Sequence, residues 1–136
     1  MKPFPVKSEK LWGYSDKQIV KKAQDYFKAT VHRSKRQPYV RSAYFKKQKV
    51  FFTYFWKHIY QKSPKERRRR IQFFPCAVEL IQKCRNKPES IINVSKKIEI
   101  LYRFSGITKD KEIFFIQIKQ NSKTGRYEFM SVFPQK

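Results

Sequence analysis

Apolar residues change period near Asn86. Before it they recur at three- and four-residue spacing; after it they alternate with polar ones. This order predicts an α+β fold, with N-terminal helices packed on a C-terminal antiparallel sheet of three to four strands. A length of 136 residues fits a single domain around one hydrophobic core, helical over 1–90 and sheet over 91–136.

Ser15-Asp16-Lys17-Gln18 has capping-box spacing, and Gln18 can reach back to the cap. Ile19, Ala23, Tyr26 and Phe27 then form one stripe, which predicts a helix to about Ala29. Pro38 argues against helix in the next segment, which reads as an irregular basic connection with a short edge strand at Tyr39–Phe45. Residues 50–62 return to helical spacing through Phe52, Phe55, Trp56 and Ile59; a neighbouring stripe of Phe51, Tyr54 and His58 brings His58 to the edge of the buried face. Ser63-Pro64-Lys65-Glu66 is a second capping box and opens a short helix carrying Arg67–Arg70. Pro75 restarts a helix along Cys76–Cys84.

Lys97–Ser105, Glu112–Gln120 and Arg126–Pro134 alternate, with turn signals at Gly106–Lys111 and Asn121–Gly125. They predict a three-stranded antiparallel meander. An even register sum in the last hairpin sets Lys119 opposite Tyr127, Gln117 opposite Phe129 and Phe115 opposite Ser131. Gln117, Lys119, Tyr127 and Ser131 then share one partly solvated face.

Charge narrows the function. There are 33 Lys+Arg against 10 Asp+Glu, a formal net charge of +23. Such an excess opposes compaction, and a polyanionic partner gives it a purpose. An anionic membrane surface would serve too, but no apolar run approaches the roughly 20 residues of a membrane span, and Met1–Lys10 has no stretch suited to a signal peptide. A cytoplasmic location without membrane association is expected. Thirteen Phe, eight Tyr and two Trp make disorder a poor reading. Three glycines cannot build a Gly-rich phosphate loop. Cys76 and Cys84, on one helix, would stand about 12 Å apart along its axis, too far for a disulfide or a shared metal. They read as buried reduced thiols, and no metal or cofactor is expected.

Aromatic and basic residues together suit single-stranded RNA, whose bases stack on rings while cations hold its backbone; DNA is the alternative. Phe52, Phe55, Trp56, Phe114 and Phe133 are assigned to the core, leaving Tyr39, Tyr44 and Tyr127 as stacking candidates. Arg33, Lys35, Arg36 and Arg41 are the backbone contacts, joined by Arg67 and Arg68. A run of four arginines points all round a helix, so only one or two meet a given phosphate; the run also reads as a solvated face or a contact for an acidic protein. For RNA cleavage without metal, the parts at hand are His32, His58, Lys119, Arg103, Tyr127 and Ser131. Each histidine has a plainer reading: His32 as a polar loop residue, His58 as a satisfied residue at the core boundary.

The stretches LYRFSGITKDKEIFFIQIK, Leu101–Lys119, and YEFMSVFP, Tyr127–Pro134, resemble phage- and mobile-element-associated nucleases of the barnase/EndoU/colicin/RelE-like superfamily. The resemblance covers about the last 40 residues. It implies a small α+β toxin-like endoribonuclease, metal-independent, neutralised by an acidic antitoxin or immunity protein. The strand positions that match are Arg103, Lys119 and Ser131, with an upstream histidine, for which His32 is preferred because it lies in the basic connection. No obvious catalytic Glu stands on the sheet; Glu99 is the one candidate, and pairing with Lys119 is its other reading. The expectation is an RNA-binding, RNA-cleaving protein. Its rivals are a non-catalytic nucleic-acid-binding accessory protein of a mobile element and a basic subunit of a larger ribonucleoprotein.

Overall fold

A computed structural model describes residues 2–30, 32–33, 37–92 and 99–135, and of residues 32 and 33 the backbone alone. The fold is α+β. Its elements run β1 (Phe4–Pro5), α1 (Asp16–Thr30), β2 (His32–Arg33), β3 (Pro38–Arg41), β4 (Lys49–Phe51), α2 (Thr53–Ile59), α3 (Pro64–Ile71), α4 (Phe74–Lys83), β5 (Glu89–Ile92), β6 (Glu99–Ile107), β7 (Ile113–Asn121) and β8 (Tyr127–Pro134). Among the described residues no helix is long and apolar enough to cross a membrane.

Local signals act largely as expected. The Ser15 hydroxyl accepts from the Gln18 amide, while the Gln18 side chain accepts from the Tyr14 amide, one residue before the cap. Ser63 caps α3 by accepting from the Glu66 amide at 3.3 Å. Both cysteines are buried and unpaired, and burial pushes the Cys76 thiol up to about 12.

The sheet is larger than expected and mixed. Among the described residues eight strands run β1-β6-β7-β8-β4-β3-β2, with β5 also on β6. Pairs β1–β6 and β4–β8 are parallel. The helical part expected over 1–90 therefore contains four strands before α2, plus the start of β5. Those strands are two to four residues long, below the length at which alternation stands out. Residues 50–62 are not one helix: Val50 and Phe51 pair with β8, and α2 starts at Thr53. Apolar residues suit either state, and the partner strand decides.

The last hairpin corrects the expected register. Phe115 faces Phe133 and Gln117 faces Ser131, but Lys119 faces Glu128 and Gln120 faces Tyr127. A register shift falls between Gln117 and Ile118, leaving Met130 without a partner. This bulge turns both Phe129 and Val132 into the core, although they stand three residues apart. Tyr127 consequently leaves the face of Lys119 and stacks on Phe45, centroids 4.1 Å apart.

The core lies between the inner sheet face and the helices. Phe104, Phe114, Ile116, Ile118, Phe129 and Val132 meet the buried sides of α1, α2 and α4. Phe73 stacks on Phe114 at 5.4 Å, and Phe52 and Phe55 each meet Phe129 within 5 Å. Phe133, expected in the core, is half-buried on the opposite face. Gly106 is not a turn residue but lies inside β6, where an added Cβ would stand 2.5 Å from the Phe114 ring. Glu79 of α4 is buried and ties down the N-terminal segment, accepting from the Lys7 and Ser8 amides and the Ser8 hydroxyl. Burial opposes its charge, but those hydrogen bonds outweigh it and hold the carboxyl below the usual glutamate range.

Two stability predictions follow from this packing. Gly106→Ala should destabilise the fold by about 1–3 kcal/mol through overpacking against Phe114, measured by denaturant unfolding. Glu79→Gln should cost about 2–3 kcal/mol near neutral pH by leaving buried donors underserved. The folded carboxyl has the lower pKa, so its stabilisation is full above the unfolded pKa and fades as pH falls through the folded value. The gap between parent and variant should thus close in acid; a gap independent of pH would contradict it.

Candidate functional site

The site begins with the place where β4 leaves β8. Only Val50 and Phe51 pair with β8, opposite Tyr127 and Glu128. The chain then becomes α2, which packs along the second half of β8. Phe55 and Ile59 are buried, while Tyr54 and His58, the half-polar stripe of the same helix, look onto a cleft of about 320 Å³. Lys62 and Arg70 complete the helical wall; Gln117 and Ser131 form the sheet wall.

His58 is held in one tautomer. Its Nδ1 lies 2.8 Å from the Tyr54 carbonyl oxygen, which can only accept, so Nδ1 carries the hydrogen and the neutral ring keeps its lone pair on Nε2. The Tyr54 ring stacks on the imidazole at 3.7 Å. Lys119 Nζ in turn sits 5.1 Å from the Tyr54 ring centre. The same ammonium is 3.3 Å from Glu99 and 4.0 Å from Glu128. Lys119 therefore lies beside the cleft, ion-paired and supporting the Tyr54–His58 stack.

Register supplies the adjoining surface. Arg103 pairs with Gln117, and Gln117 with Ser131, so one row crosses β6, β7 and β8 on the outer face. In the next row Phe115 pairs with Phe133. The guanidiniums of Arg70 and Arg103 lie 5.7 and 5.5 Å from the Phe133 ring centre. Arg70 also donates from Nε to Glu66 at 2.7 Å. The cleft thus combines an imidazole, a hydroxyl, an amide and cations, a set able to move a proton beside a bound anion.

Comparison with family models, with curated proteins and with solved structures gives no match. The chemistry of the site therefore rests on its own geometry.

Of the residues singled out in the sequence, Lys119, Ser131 and Arg103 share one sheet face. The backbone of His32 is in β2, with β3 and β4 between it and β8, and its side chain lies outside the described residues. Arg33 is beside it, and Lys35 and Arg36 lie outside the described residues. Tyr39 and Arg41 stand together on β3, Arg41 5.4 Å from the Tyr39 ring centre. Tyr44 and Tyr127 are not free stacking platforms. Tyr44 packs against Phe45 and Phe104, and Tyr127 against Phe45; burial raises the Tyr127 pKa. Arg67 and Arg68 turn inward. Arg67 donates to both Asp16 carboxylate oxygens at 3.0–3.2 Å, tying α3 to α1, and Arg68 donates to the Gly13 carbonyl. The sequence offered His58 as one candidate for cleavage, left Tyr54 and Arg70 to their stripe and run, and did not single out Lys62. The one advance signal was the stripe Phe51–Tyr54–His58, polar enough to border solvent.

The arginine run should separate by unfolding measurements. Arg67→Ala should cost about 1–2 kcal/mol by removing charged hydrogen bonds between helices. Arg69→Ala, whose partner is Glu66 on the same helix turn, should stay within about 0.5 kcal/mol of the parent.

Proposed function

We propose that this protein is an RNA-binding, metal-independent endoribonuclease whose active site is the His58 cleft. The observation that carries the reading is the meeting of His58, Ser131, Gln117 and Arg70 in one cleft, next to the Arg103 row. A ribonucleotide phosphate seated there would lie among Arg70, Lys62 and the Ser131 hydroxyl. His58 Nε2 takes the proton of the 2′-hydroxyl as that oxygen attacks phosphorus. The cations stabilise the charge gathering on the phosphorane oxygens, and the bond to the 5′-oxygen breaks as that oxygen takes a proton from solvent. The products are a 2′,3′-cyclic phosphate and a 5′-hydroxyl. Lys119 acts in this scheme through Tyr54, as a positioning residue, and His58 replaces His32 as the base. The resemblance to the barnase/EndoU/colicin/RelE-like nucleases points the same way, and a cationic face of this kind suits an acidic inhibitor protein as well as RNA.

A second reading has its own support. Glu66 pairs with Arg70, and Glu99 and Glu128 pair with Lys119, so part of the positive charge around the cleft is already met. That favours a non-catalytic RNA-binding accessory protein, of a mobile element or a ribonucleoprotein.

Single-turnover cleavage of a defined RNA decides between them. His58→Ala should lower the rate by about 10²–10⁴-fold, the usual worth of a positioned general base, while binding RNA as the parent does. Cleavage should persist in EDTA and leave cyclic-phosphate ends. Equal cleavage by parent and His58→Ala removes His58 as the base, and no cleavage by the parent leaves the accessory-protein reading.

A further inference from the structure

A second concentration of positive charge lies where the turn between β3 and β4 faces the turn between β7 and β8. The groove there has a volume of about 590 Å³ and is lined by Arg41, Lys46, Lys47, Lys49 and Arg126 over Phe51. Among the described residues no carboxylate lines it. Of its five cations, Arg126 has an ion-pair partner, Glu128 at 3.8 Å; the other four have none among the described residues.

Three of these cations are held in place by rings. Arg41 and Lys49 approach the Tyr39 ring centre at 5.4 and 4.8 Å, and Arg126 lies 3.9 Å from that of Phe51. Arg41 also donates to the Lys47 carbonyl at 2.9 Å, and Arg126 to the Gln37 side chain. Side chains ordered in advance lose less freedom when a ligand arrives.

The turn itself bears strain. Lys46 and Lys47 have φ of +56° and +68°, a region unfavourable for a residue with a Cβ and suited to glycine. Buried Phe45 and the bonds from the Lys47 amide to the Ser42 carbonyl and from the Gln48 amide to the Phe45 carbonyl hold it there. Glycine at both positions would relieve the strain and remove two repelling charges from a chain of net +23. Two lysines there oppose stability on both counts, and an anionic ligand accounts for them.

We infer that this groove binds the phosphodiester backbone of single-stranded RNA, as an exosite separate from the His58 cleft. The inference rests on the RNA reading above and adds to it. Phe51 pairs with Glu128 and Tyr39 with Phe51, so Tyr39 and Phe51 belong to the sheet face that carries Lys119. From Tyr127 to Ser131 is about 13 Å along β8 at roughly 3.3 Å per residue. A strand anchored in the groove reaches the cleft within a few nucleotides. Short substrates would engage the cleft alone, and longer ones both.

The test uses the full chain carrying His58→Ala, so that RNA stays intact, and the double variant Lys46→Gly/Lys47→Gly on that background. Anisotropy of a labelled single-stranded RNA of about twelve nucleotides, a length within the usual single-strand site sizes, is titrated across salt concentrations. The double variant should lower the slope of log affinity against log salt by about 1.4, or 0.7 per phosphate contact. It should bind about tenfold more weakly at low salt, and melt no lower than its parent because glycine suits those backbone angles. With His58 restored, dinucleotide cleavage should be unchanged, and cleavage of the longer RNA should show a raised KM at constant kcat. Lys49→Met, which keeps the stem against Tyr39, is the second variant and should lower the slope by about 0.7. A parent that binds RNA steeply, with both variants matching its slope and affinity, overturns the exosite and leaves the cleft reading standing. A parent that does not bind RNA overturns both. A matched DNA strand bound equally well supports backbone recognition. A poly-glutamate peptide of equal charge that binds more tightly than RNA, and loses that affinity in the double variant, overturns the inference in favour of protein docking.

Discussion

Two residues of parallel pairing, Val50 and Phe51 on Tyr127 and Glu128, join the halves of this protein. On one side stand the short strands β2 to β4, on the other the meander β6 to β8. The pairing directs α2 along the rest of β8 and so brings Tyr54 and His58 to Ser131 and Gln117. It also sets the β3–β4 turn opposite the β7–β8 turn, which creates the basic groove. So small a ladder cannot hold by its hydrogen bonds alone, each worth about 1 kcal/mol net. Phe52, Phe55 and Phe129, buried together directly beyond it, supply the rest; full burial of each such side chain contributes about 1.5–3 kcal/mol.

Several of the few carboxylates are placed where they hold structure. Asp16 secures Arg67 between two helices, Glu66 gathers Arg69 and Arg70, and Glu99 and Glu128 take Lys119. Glu79, the one that is buried, serves backbone amides and a hydroxyl rather than a cation. The lysines of the β3–β4 turn have no such partner among the described residues. Four cations without an ion-pair partner among the described residues thus converge on one groove, a place where a polyanion would be drawn.

Much of this was legible in the residues. The long strands alternate over eight or nine positions, and α1 and α3 carry their caps in the sequence, so element type was set locally. What was hidden depends on partners distant in the chain. Pro38–Arg41 and Lys49–Phe51 are too short to declare a period, and Phe51 reads as helix until β8 is placed beside it. The bulge at Met130 has no local signature; it exists because Phe129 and Val132 are both needed inside. That single irregularity moved Tyr127 to the core side and kept Ser131 outside, so Gln117, Lys119 and Ser131 share the expected sheet face without it. His58 was ambiguous for a similar reason: a residue at the margin of an apolar stripe faces either packing or solvent, and only the strand across from it decides.

The same two-residue ladder orders events in time. It joins segments far apart in the chain, so it carries a large loop-closure cost and forms after the local hairpins and helices. Cleft and groove both wait on that step. During synthesis the β3–β4 hairpin and α2 emerge well before β8, and until β8 is made His58 has no sheet wall opposite it. The arrangement of reactive groups is thus a property of the finished fold alone, and a nascent chain carries the charge without the site.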